Sequence, residues 1–414
     1  VADISAIRFS LPAQLLEPTP NLEYWNYLDQ PNTFIAIGDS DEPLDRMLEV
    51  LRFWFTKDLK YVKGKPCKPY NSTLGEFFRC NWEIEDTAPY IDTAGKLQSS
   101  APQSSASSMK SAKNSQPTSQ QSASTSKSGK PVRVSFLTEQ TSHHPPVSAF
   151  YIDCPEKGIS ARGFDQLAAK FTGTSIKVTP GEHNLGIFIN IQRRNNEEYQ
   201  LTHPAAHLGG FFRGNLSVSV GDSCYVTCPQ TKLKTILQYV EDGWLGKAQN
   251  RVEGVIFRYD PNNDNKTRIK DVPEKDVLVR ISGNWREQVS FTLPPKFDKP
   301  HVIVDLRPLE VAPKLLPPAS SQLPNESLRY WSGVTEAIHA RQFNRATELK
   351  QEIEQRQRDR AKEREESGTK WQPRFFVGAV TPLGKPALTE EGKEVLKNMQ
   401  ELKWELKEST VLGA

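Results

Sequence analysis

The sequence contains no run of about 18 apolar residues, which is the length that a membrane-spanning helix requires. Its first residues, VADISAIRFSLP, lack the charged and then apolar layout of a secretory signal. Cysteine is also scarce, with 5 in 414 residues, so a disulfide framework is not expected. The sequence therefore predicts a chain that is neither secreted nor membrane-spanning and that keeps its thiols reduced in the cytosol.

Motifs of several enzyme and metal-binding classes are missing as well. The sequence has no G-x-S-x-G, no P-loop and no H-E-x-x-H. Cys224 and Cys228 lie within CYVTCP, a pattern typical of a strand that carries both side chains on one face. No second Cys/His pair at zinc-finger spacing follows them. We therefore expect no metal ligands and no catalytic residues.

The formal charge of +3 does not describe a basic protein, because the positive residues are unevenly placed. The segment 94–130 holds five lysines and no acidic residue, which leaves the rest of the chain at −2. The same segment holds 13 serines in 37 residues, and its only large apolar groups are Leu97 and Met109. It cannot bury enough surface to offset the entropy of ordering. We predict a disordered insertion there, and no nucleic-acid partner.

The stretch SDEPLDRMLEVLRFWFTKDLKYV, residues 40–62, has the pattern of an amphipathic helix. Ser40 is placed to cap the helix, and Pro43 suits its first turn. Apolar residues recur at helical spacing, namely Leu44, Met47, Leu48, Leu51, Trp54 and Phe55. A helix packed in the core is expected, since a membrane-surface helix would need more cationic residues on its polar face.

From residue 131 to about residue 305 the sequence consists of short runs rich in Val, Ile, Thr, Phe and Tyr. Examples are VRVSFLTE, SAFYIDC, LGIFINIQR, LSVSVGDSCYVTC, RVEGVIFRYD and DVLVRIS. Runs that recur roughly every eight to twelve residues without helices between them favour an antiparallel meander, in a sandwich or a barrel. A large barrel would leave an interior cavity. The predicted fold class is mainly β with flanking helices (α+β).

Helical spacing returns after Pro317. One apolar stripe is formed by Phe343, Ala346, Leu349 and Ile353. Lys350, Glu354 and Arg358 follow at four-residue intervals and form a polar ridge, which on an exposed helix is often only solvated ion pairing. The segment TEEGKEVLKNMQELKWELKE predicts another helix, with the apolar residues Val395, Leu396, Met399, Leu402 and Trp404.

The segment EQTSHHPPVSAF places His143 and His144 before two prolines. Adjacent side chains on extended backbone point to opposite sides, and proline keeps the preceding residue out of the helical region. The pair is therefore a poor metal chelate but a rigid edge, from which imidazoles can donate to a phosphate. The alternative is that both histidines only pin a loop.

The segment EQTSHHPP resembles very closely the signature of the oxysterol-binding-protein-related (OSBP/ORP/Osh) lipid-transfer family. CKPYNSTLGEFF resembles the family's Lys-Pro-x-Asn-Pro-x-Leu-Gly-Glu segment, with Ser72 where proline is common. ATELKQEIEQRQR resembles its C-terminal helix, which bears Lys, Glu and Arg four residues apart. HPAAHLGG, GWLGKAQNRVEG and ISGNW complete a resemblance that covers the chain except the serine-rich segment.

The resemblance implies a large, near-complete antiparallel barrel around a lipid tunnel, with an N-terminal lid and a C-terminal helical region. It implies phosphatidylinositol 4-phosphate as the shared ligand, and no cofactor. By motif position, Lys68 and Asn71 should meet the head group and His143 and His144 the 4-phosphate. The ridge should meet the phosphate and the inositol hydroxyls through Lys350, Glu354 and Arg358.

The first stretch, ISAIRFSLPAQLLEP, corresponds by resemblance to the lid, with Ile7, Leu11, Leu15 and Leu16 covering acyl chains. NLEYWNYLDQ, EHNLGIFIN and EEYQLTHP are most similar to the phosphatidylserine-transporting fungal branch, in which Leu11 would lie near the serine head group. The resemblance implies a carrier, not an enzyme, that exchanges phosphatidylserine for the phosphoinositide. Sterol is the alternative second cargo, and a lipid hydrolase or a membrane-tethering scaffold are the alternatives of other classes.

The expected organisation is one lipid-binding domain. Its parts are a lid and the segment after it (1–30), a helical segment with the first strands (31–93), the insertion (94–130), the barrel (131–310) and a helical region (311–414). The expected partners are membrane lipids, through transient contact with anionic membranes. We expect a cytoplasmic monomer, peripheral at contact sites between the endoplasmic reticulum and the plasma membrane.

Overall fold

The computed structural model describes residues 16–64, 68–94, 130–173, 175–209, 217–240 and 249–408. For Leu16, Lys68 and Ser217 it describes the backbone only. The predicted insertion falls almost wholly on 95–129, outside the described residues, as do Ile7, Leu11 and Leu15 of the lid. None of the described helices is both long and apolar enough to cross a membrane.

The helices are α1 Asn21–Tyr24, α2 Pro31–Ile35, α3 Pro43–Thr56, α4 Leu59–Lys63, α5 Ser327–Tyr330, α6 Ser332–His339, α7 Phe343–Ser367 and α8 Glu390–Gln400. The strands are β1 Leu16–Pro20, β2 Lys68–Tyr70, β3 Phe77–Glu85, β4 Pro131–His143, β5 Pro146–Cys154, β6 Ile159–Asp165, β7 Leu167–Phe171, β8 Ile176–Pro180, β9 Ile187–Ile191, β10 Glu197–Leu201, β11 Ala205–Gly209, β12 Ser217–Gly221, β13 Ser223–Cys228, β14 Leu233–Tyr239, β15 Arg251–Arg258, β16 Val277–Asn284, β17 Gln288–Thr292 and β18 His301–Asp305.

Twelve of these strands form one antiparallel sheet in the order β18-β17-β16-β15-β14-β13-β10-β9-β6-β5-β4-β3. Strands close in sequence are neighbours, as in the meander that the sequence predicts. Each of the six apolar runs named above contains at least one strand among the described residues. β1 and β2, outside this sheet, pair in parallel.

The sheet is strongly curved. In a flat sheet, strands about 4.8 Å apart would place the edges β3 and β18 roughly 53 Å from each other. Leu315, only ten residues after β18, exchanges two backbone hydrogen bonds with Asn81 of β3, at 2.7 and 2.9 Å. That length of chain reaches at most about 35 Å. The edges therefore approach each other, but among the described strands β3 and β18 do not pair, so the expected near-complete barrel is seen as a curled, open sheet.

The concave side of the sheet holds α2 and α3. Phe34, Phe53 and Trp54 belong to the same buried cluster as apolar residues of the strands from β3 to β18. Pro43 occupies the first turn of α3, as predicted. The prediction for Ser40 is wrong, because Glu42 precedes the helix and Ser40 instead donates its hydroxyl to the buried Glu49 carboxylate at 2.5 Å.

A smaller sheet of four strands, in the order β12-β11-β8-β7, continues four central strands of the main sheet. Directly opposed residues share a face of a sheet, and Ala169, Val178, Ala206 and Val220 form one such row across all four strands. The complete face is apolar, and we call it the apolar wall: Leu167, Ala169, Phe171, Ile176, Val178, Pro180, Ala206, Leu208, Val218 and Val220. The other face carries Lys170, Lys177, His207 and Ser219.

The apolar wall is continuous with the interior of the main sheet, because Val220 packs against the central cluster. Even so, much of it is uncovered by the described residues, with Leu167 67% exposed and Phe171 46% exposed. Apolar surface that faces the interior is normally kept from water. An uncovered apolar face that continues the interior is therefore what the lining of a cavity would look like.

The C-terminal helices form as predicted, except at the end of α8. Val395, Leu396 and Met399 are buried, but α8 ends at Gln400, so that Leu402 and Trp404 lie beyond it. Leu402 adopts φ +56°, and the amide of Lys403 donates to the carbonyl of Asn398 at 2.8 Å. This is a Schellman ending without the usual glycine, which is why apolar spacing alone extended the helix too far.

Candidate ligand-binding site

The segment EQTSHHPP lies at one end of the sheet, where β4 turns into β5. The Glu139 carboxylate accepts the backbone N–H groups of Arg374 and Phe375 at 2.7 and 2.8 Å. Thr141 donates its hydroxyl to the carbonyl of Ala379 at 2.6 Å. Glu139 and Thr141 therefore attach the C-terminal region to β4. The histidines follow these two residues, at the end of the strand.

His143 is held by its own strand, since its Nδ1 lies 2.9 Å from Nε2 of Gln140. The two histidine rings lie edge to face with their centroids 4.8 Å apart. The prediction that they point to opposite sides is wrong, because β4 ends at His143 and strand alternation does not continue to His144. His143 is half-buried and His144 is exposed, so both can be reached by one small anion.

Positively charged groups lie near His143. Burial lowers the pKa of His143, and the charges of His144 and of Arg364 lower it further. Neighbouring positive groups make protonation of a histidine less favourable. A bound anion would offset this repulsion and favour the protonated form. Arg364, near the end of α7, was not found from the sequence, where it is one of many charged residues of that helix.

The loop that carries Asn71 is tied to the same strand end. Gly75 donates its N–H to the carbonyl of Gln140 at 3.0 Å, and Gln140 donates to the carbonyl of Glu76 at 2.8 Å. Asn71 itself is exposed. The loop and the histidines therefore lie side by side, although nearly seventy residues separate them in sequence.

Glu76 links this loop to the C-terminal helices. Its carboxylate accepts from the Ser327 hydroxyl at 2.6 Å, from Trp331 Nε1 at 3.1 Å and from the Thr73 amide at 3.0 Å. Burial raises the pKa of Glu76 to about 7 despite these donors. Trp331 in turn stacks on Tyr70, whose centroid lies 4.9 Å away, so β2 and the loop share one anchor.

Helix α7 packs against that anchor through the predicted stripe. Ala346 and Ile353 are buried in one cluster with Tyr70 and Trp331. Gln357 donates to the Tyr330 hydroxyl at 2.8 Å. The backbone of Lys68 lies in β2, two residues before Tyr70, so α7 and the Lys68 segment meet at the same anchor.

The polar ridge of α7 turns progressively away from the protein. Lys350 and Glu354 pair at 3.6 Å, with their side chains 20% and 39% exposed. Arg358 is exposed and bonds Gln355 at 2.6 Å. Residues four apart drift around a helix, so Lys350 lies closer to the body of the protein than Arg358 does.

The apolar wall begins at the same end of the sheet as the histidines. In the ladder, Pro146 pairs with His143 and Ser148 pairs with Asp165, the last residue of β6. Leu167, the first residue of the wall, follows two positions later. The charged group of residues and the apolar lining are therefore neighbours. Of the lid residues, Leu16 opens β1, and the others lie outside the described residues.

A polar layer of the buried Tyr27 and the half-buried Asp165 and His203 forms the base of the apolar wall. Tyr27 donates its hydroxyl to Asp165 at 2.5 Å, and the ring of His203 stacks on Tyr27 with centroids 5.7 Å apart. Burial raises the pKa of Asp165 to about 7 and lowers the pKa of His203 to about 3. Among the described residues, Nε2 of His203 has no hydrogen-bond partner.

Asp165→Asn is expected to stabilise the protein selectively at high pH. Folded Asp165 keeps its proton up to about pH 7, whereas an aspartate of ordinary pKa 3.8 loses it earlier, so stability falls as pH rises between these values. The gain in unfolding free energy of the variant should be larger at pH 8 than at pH 4 by on the order of 4 kcal/mol. Urea unfolding at both pH values measures it. Asp298→Asn, an exposed change, should leave the profile unaltered; a pH-independent effect at Asp165 would contradict the assignment.

Within the part of the chain that the structure describes, no group of three or more His, Cys, Asp or Glu could hold a metal ion. Cys224 and Cys228 both point inward from β13 and are buried, as their spacing predicted.

The sequence profile of the oxysterol-binding protein family matches residues 2–333 and 334–408. The chain belongs to this family. Within the family it is 44% identical to oxysterol-binding protein-like protein 1 of Schizosaccharomyces pombe, over 96% of this chain and 88% of that protein. It is 31% identical to human oxysterol-binding protein-related protein 11, over 89% of this chain but 46% of that protein.

Solved structures of the family have the same fold. The Osh1 ORD domain in complex with ergosterol matches with a TM-score of 0.66 and 19% identity, over 98% of this chain and 88% of that one. The Osh3 ORD in complex with PI(4)P from Saccharomyces cerevisiae matches with a TM-score of 0.61 and 15% identity, over 96% and 90%. At these identities the likeness establishes the fold: a large antiparallel sheet with flanking helices.

Proposed function

We propose that this protein is a lipid carrier that exchanges phosphatidylserine for phosphatidylinositol 4-phosphate between membranes, one lipid at a time. The observation that carries the proposal is the apolar wall, which is uncovered by the described residues and lies beside the histidine site. A lipid has the same two parts, an apolar chain region joined to a charged head group.

An apolar cavity explains why such a protein would speed lipid transfer. A lipid leaving a bilayer exposes its chains to water at roughly 0.8 kcal/mol per CH₂, which makes spontaneous desorption slow. Binding the chains along the apolar wall removes most of this barrier without making or breaking a bond. If both lipids compete for the same cavity, a gradient of one can drive the other uphill.

Head-group recognition is assigned to the residues gathered around the end of β4. His143 and His144 would bind the 4-phosphate, because donors beside positive charge form strong bonds to a dianion. Lys68, Asn71 and Lys350 would meet the rest of the head group. Glu354 and Arg358 would also contact the head group once their side chains on α7 change rotamer to face it. Ile7, Leu11, Leu15 and Leu16 would cover the chains as a lid, with Leu11 near the serine group.

Sterol is the second candidate for the exchanged cargo. The Osh1 domain similar to this chain is in complex with ergosterol or cholesterol. The Nε2 atom of half-buried His203, which has no hydrogen-bond partner among the described residues, would suit a single hydroxyl at the base of the wall. We further propose that the whole chain forms one lipid-binding domain and acts as a monomer. It would act in the cytoplasm, as a peripheral protein at contacts between the endoplasmic reticulum and the plasma membrane.

The test is transfer between two vesicle populations. Labelled phosphatidylserine in donor vesicles should move several-fold faster when the acceptors contain phosphatidylinositol 4-phosphate, with equal surface charge supplied by another anionic lipid in the control. Acceleration of sterol alone would select the second candidate. Release of head groups or fatty acids would indicate a hydrolase, and vesicle bridging without transfer would indicate a tether.

A further inference from the structure

Residues 375–388 form a hairpin on the outer side of the main sheet, and neither the family resemblance nor the proposed head-group site uses it. The amide of Val377 donates to the carbonyl of Ala387 at 2.8 Å, and Phe376 bridges to Leu388. At the tip, Gly384 donates to the carbonyl of Thr381 at 3.2 Å and adopts φ +67°, which closes a tight turn. The turn presents Leu383 at its outermost point.

The fully exposed residues of this hairpin are all apolar, and its one lysine, Lys385, is partly buried and paired with Glu198 of β10. Its exposed residues are Val377, Ala379, Pro382, Leu383 and Ala387. Leu383 is 71% exposed and Val377 is 56% exposed. The side chain of Leu185, itself 39% exposed, packs against Gly384 and enlarges the patch. Contiguous apolar surface of this kind marks a binding surface more often than a single exposed leucine does.

The hairpin is fastened to the strand that ends in the histidines. Glu139 accepts the amide of Phe375 at its base, and Thr141 donates to the carbonyl of Ala379 along its first arm. Phe375 and Phe376 are buried against Phe77 and Leu137. His143 is only two positions after Thr141, so the apolar surface and the head-group site are held in a fixed relation.

We propose that this hairpin inserts into the interface of a lipid bilayer and sets the histidine site at head-group depth. The inference rests on the proposed function, because a site that takes a lipid must meet the membrane that holds it. A bilayer fits better than a protein groove, since residues 368–388 contain no acidic group and the nearby Glu198 carboxylate is paired with Lys385. Pro382 and Leu383 at the tip are the shallow apolar wedge that interfacial insertion requires.

The decisive variant is Leu383→Asp, compared with Leu402→Asp. Leu402 is also exposed, at 45%, but follows α8, whose Gln400 bonds the carbonyl of Arg133 at the opposite end of β4. The same substitution is therefore made at both ends of the sheet. We expect Leu383→Asp to lower flotation with vesicles of phosphatidylcholine, phosphatidylserine and phosphatidylinositol 4-phosphate by roughly tenfold, and Leu402→Asp to leave it within about twofold.

A soluble, short-chain phosphatidylinositol 4-phosphate separates docking from recognition. Leu383→Asp should bind it as the wild type does, because no membrane contact is needed. Equal flotation of the two variants would overturn the proposal, and so would loss of short-chain binding by Leu383→Asp, which would place the hairpin in the pocket. Wild-type flotation without any short-chain binding would instead refute the proposed function and leave the hairpin assignment standing.

Direct insertion is read from a fluorophore at the tip. The described cysteines, Cys80, Cys154, Cys224 and Cys228, are buried, so a Leu383→Cys variant with Cys67→Ser can be labelled at one place with an environment-sensitive dye. Vesicles should raise its emission and shift it to the blue, whereas a dye at Leu402→Cys should not respond. Absence of a shift at position 383, with the protein bound to the vesicles, would also overturn the proposal.

Discussion

Replacing His143 and His144 together with alanine is expected to abolish extraction of phosphatidylinositol 4-phosphate, while equilibrium binding of the second cargo persists. Each imidazole can supply a hydrogen bond to a charged phosphate, worth about 1.5–3 kcal/mol. Loss of two such bonds corresponds to at least roughly a hundredfold weaker binding. Extraction of labelled lipid from vesicles, followed by sedimentation, measures both cargoes in parallel.

The design separates a binding role from a structural one. His339→Ala, an exposed change in the last turn of α6, controls for loss of a histidine in general. The double variant should stay folded with a melting temperature lower by no more than a few degrees, because His144 is exposed and the change removes one side-chain bond, that between buried Gln140 and half-buried His143. Equal loss of both cargoes would show that the segment only pins a loop.

The strands were predictable because period-two apolar patterns report burial directly. The curvature of the sheet was not, since it depends on Leu315 meeting Asn81 across more than two hundred residues. The apolar wall was hidden for a similar reason. The sequences VTP, AAHL and SVSV are typical of ordinary strands. Only the pairing register of the four strands shows that Val178, Ala206 and Val220 form one row.

The candidate site was predictable where chemistry is carried by a short motif. His143 and His144 could be named from eight letters, and the structure puts the Asn71 loop beside them. The supporting residues could not be named. Glu76 and Glu139 act on backbone and side-chain donors some 235 to 255 residues away, and a buried carboxylate has no local sequence signal.

The direction of the polar ridge on α7 could not be predicted from the sequence. The spacing of Lys350, Glu354 and Arg358 describes a ridge on an ideal helix but not its direction relative to the body. That direction is set by Ala346 and Ile353, and it turns Arg358 outward. The half-buried Arg364 lies eleven residues after Ile353, almost in line with it around the helix. Its charge therefore acts on His143.

Ala169→Asp is expected to block both cargoes, in contrast to the histidine change. Ala169 lies on the apolar wall, opposite Val178. A carboxylate there would have to be dehydrated against lipid chains without a partner, which is strongly unfavourable for any lipid. Extraction of phosphatidylserine and of phosphatidylinositol 4-phosphate should each fall at least roughly tenfold.

Ala168→Asp is the matched control, because it makes the same change at the adjacent residue of the same strand. Ala168 pairs with Thr179 on the polar face of the four-stranded sheet. Both alanines are exposed in the described structure, so neither change should lower the melting temperature by more than a few degrees. Normal extraction by Ala168→Asp with failure of Ala169→Asp would show that lipid chains contact one face of this sheet. If the two variants behave alike, the apolar wall does not line the cavity, and the observation on which the proposed function rests must be given up.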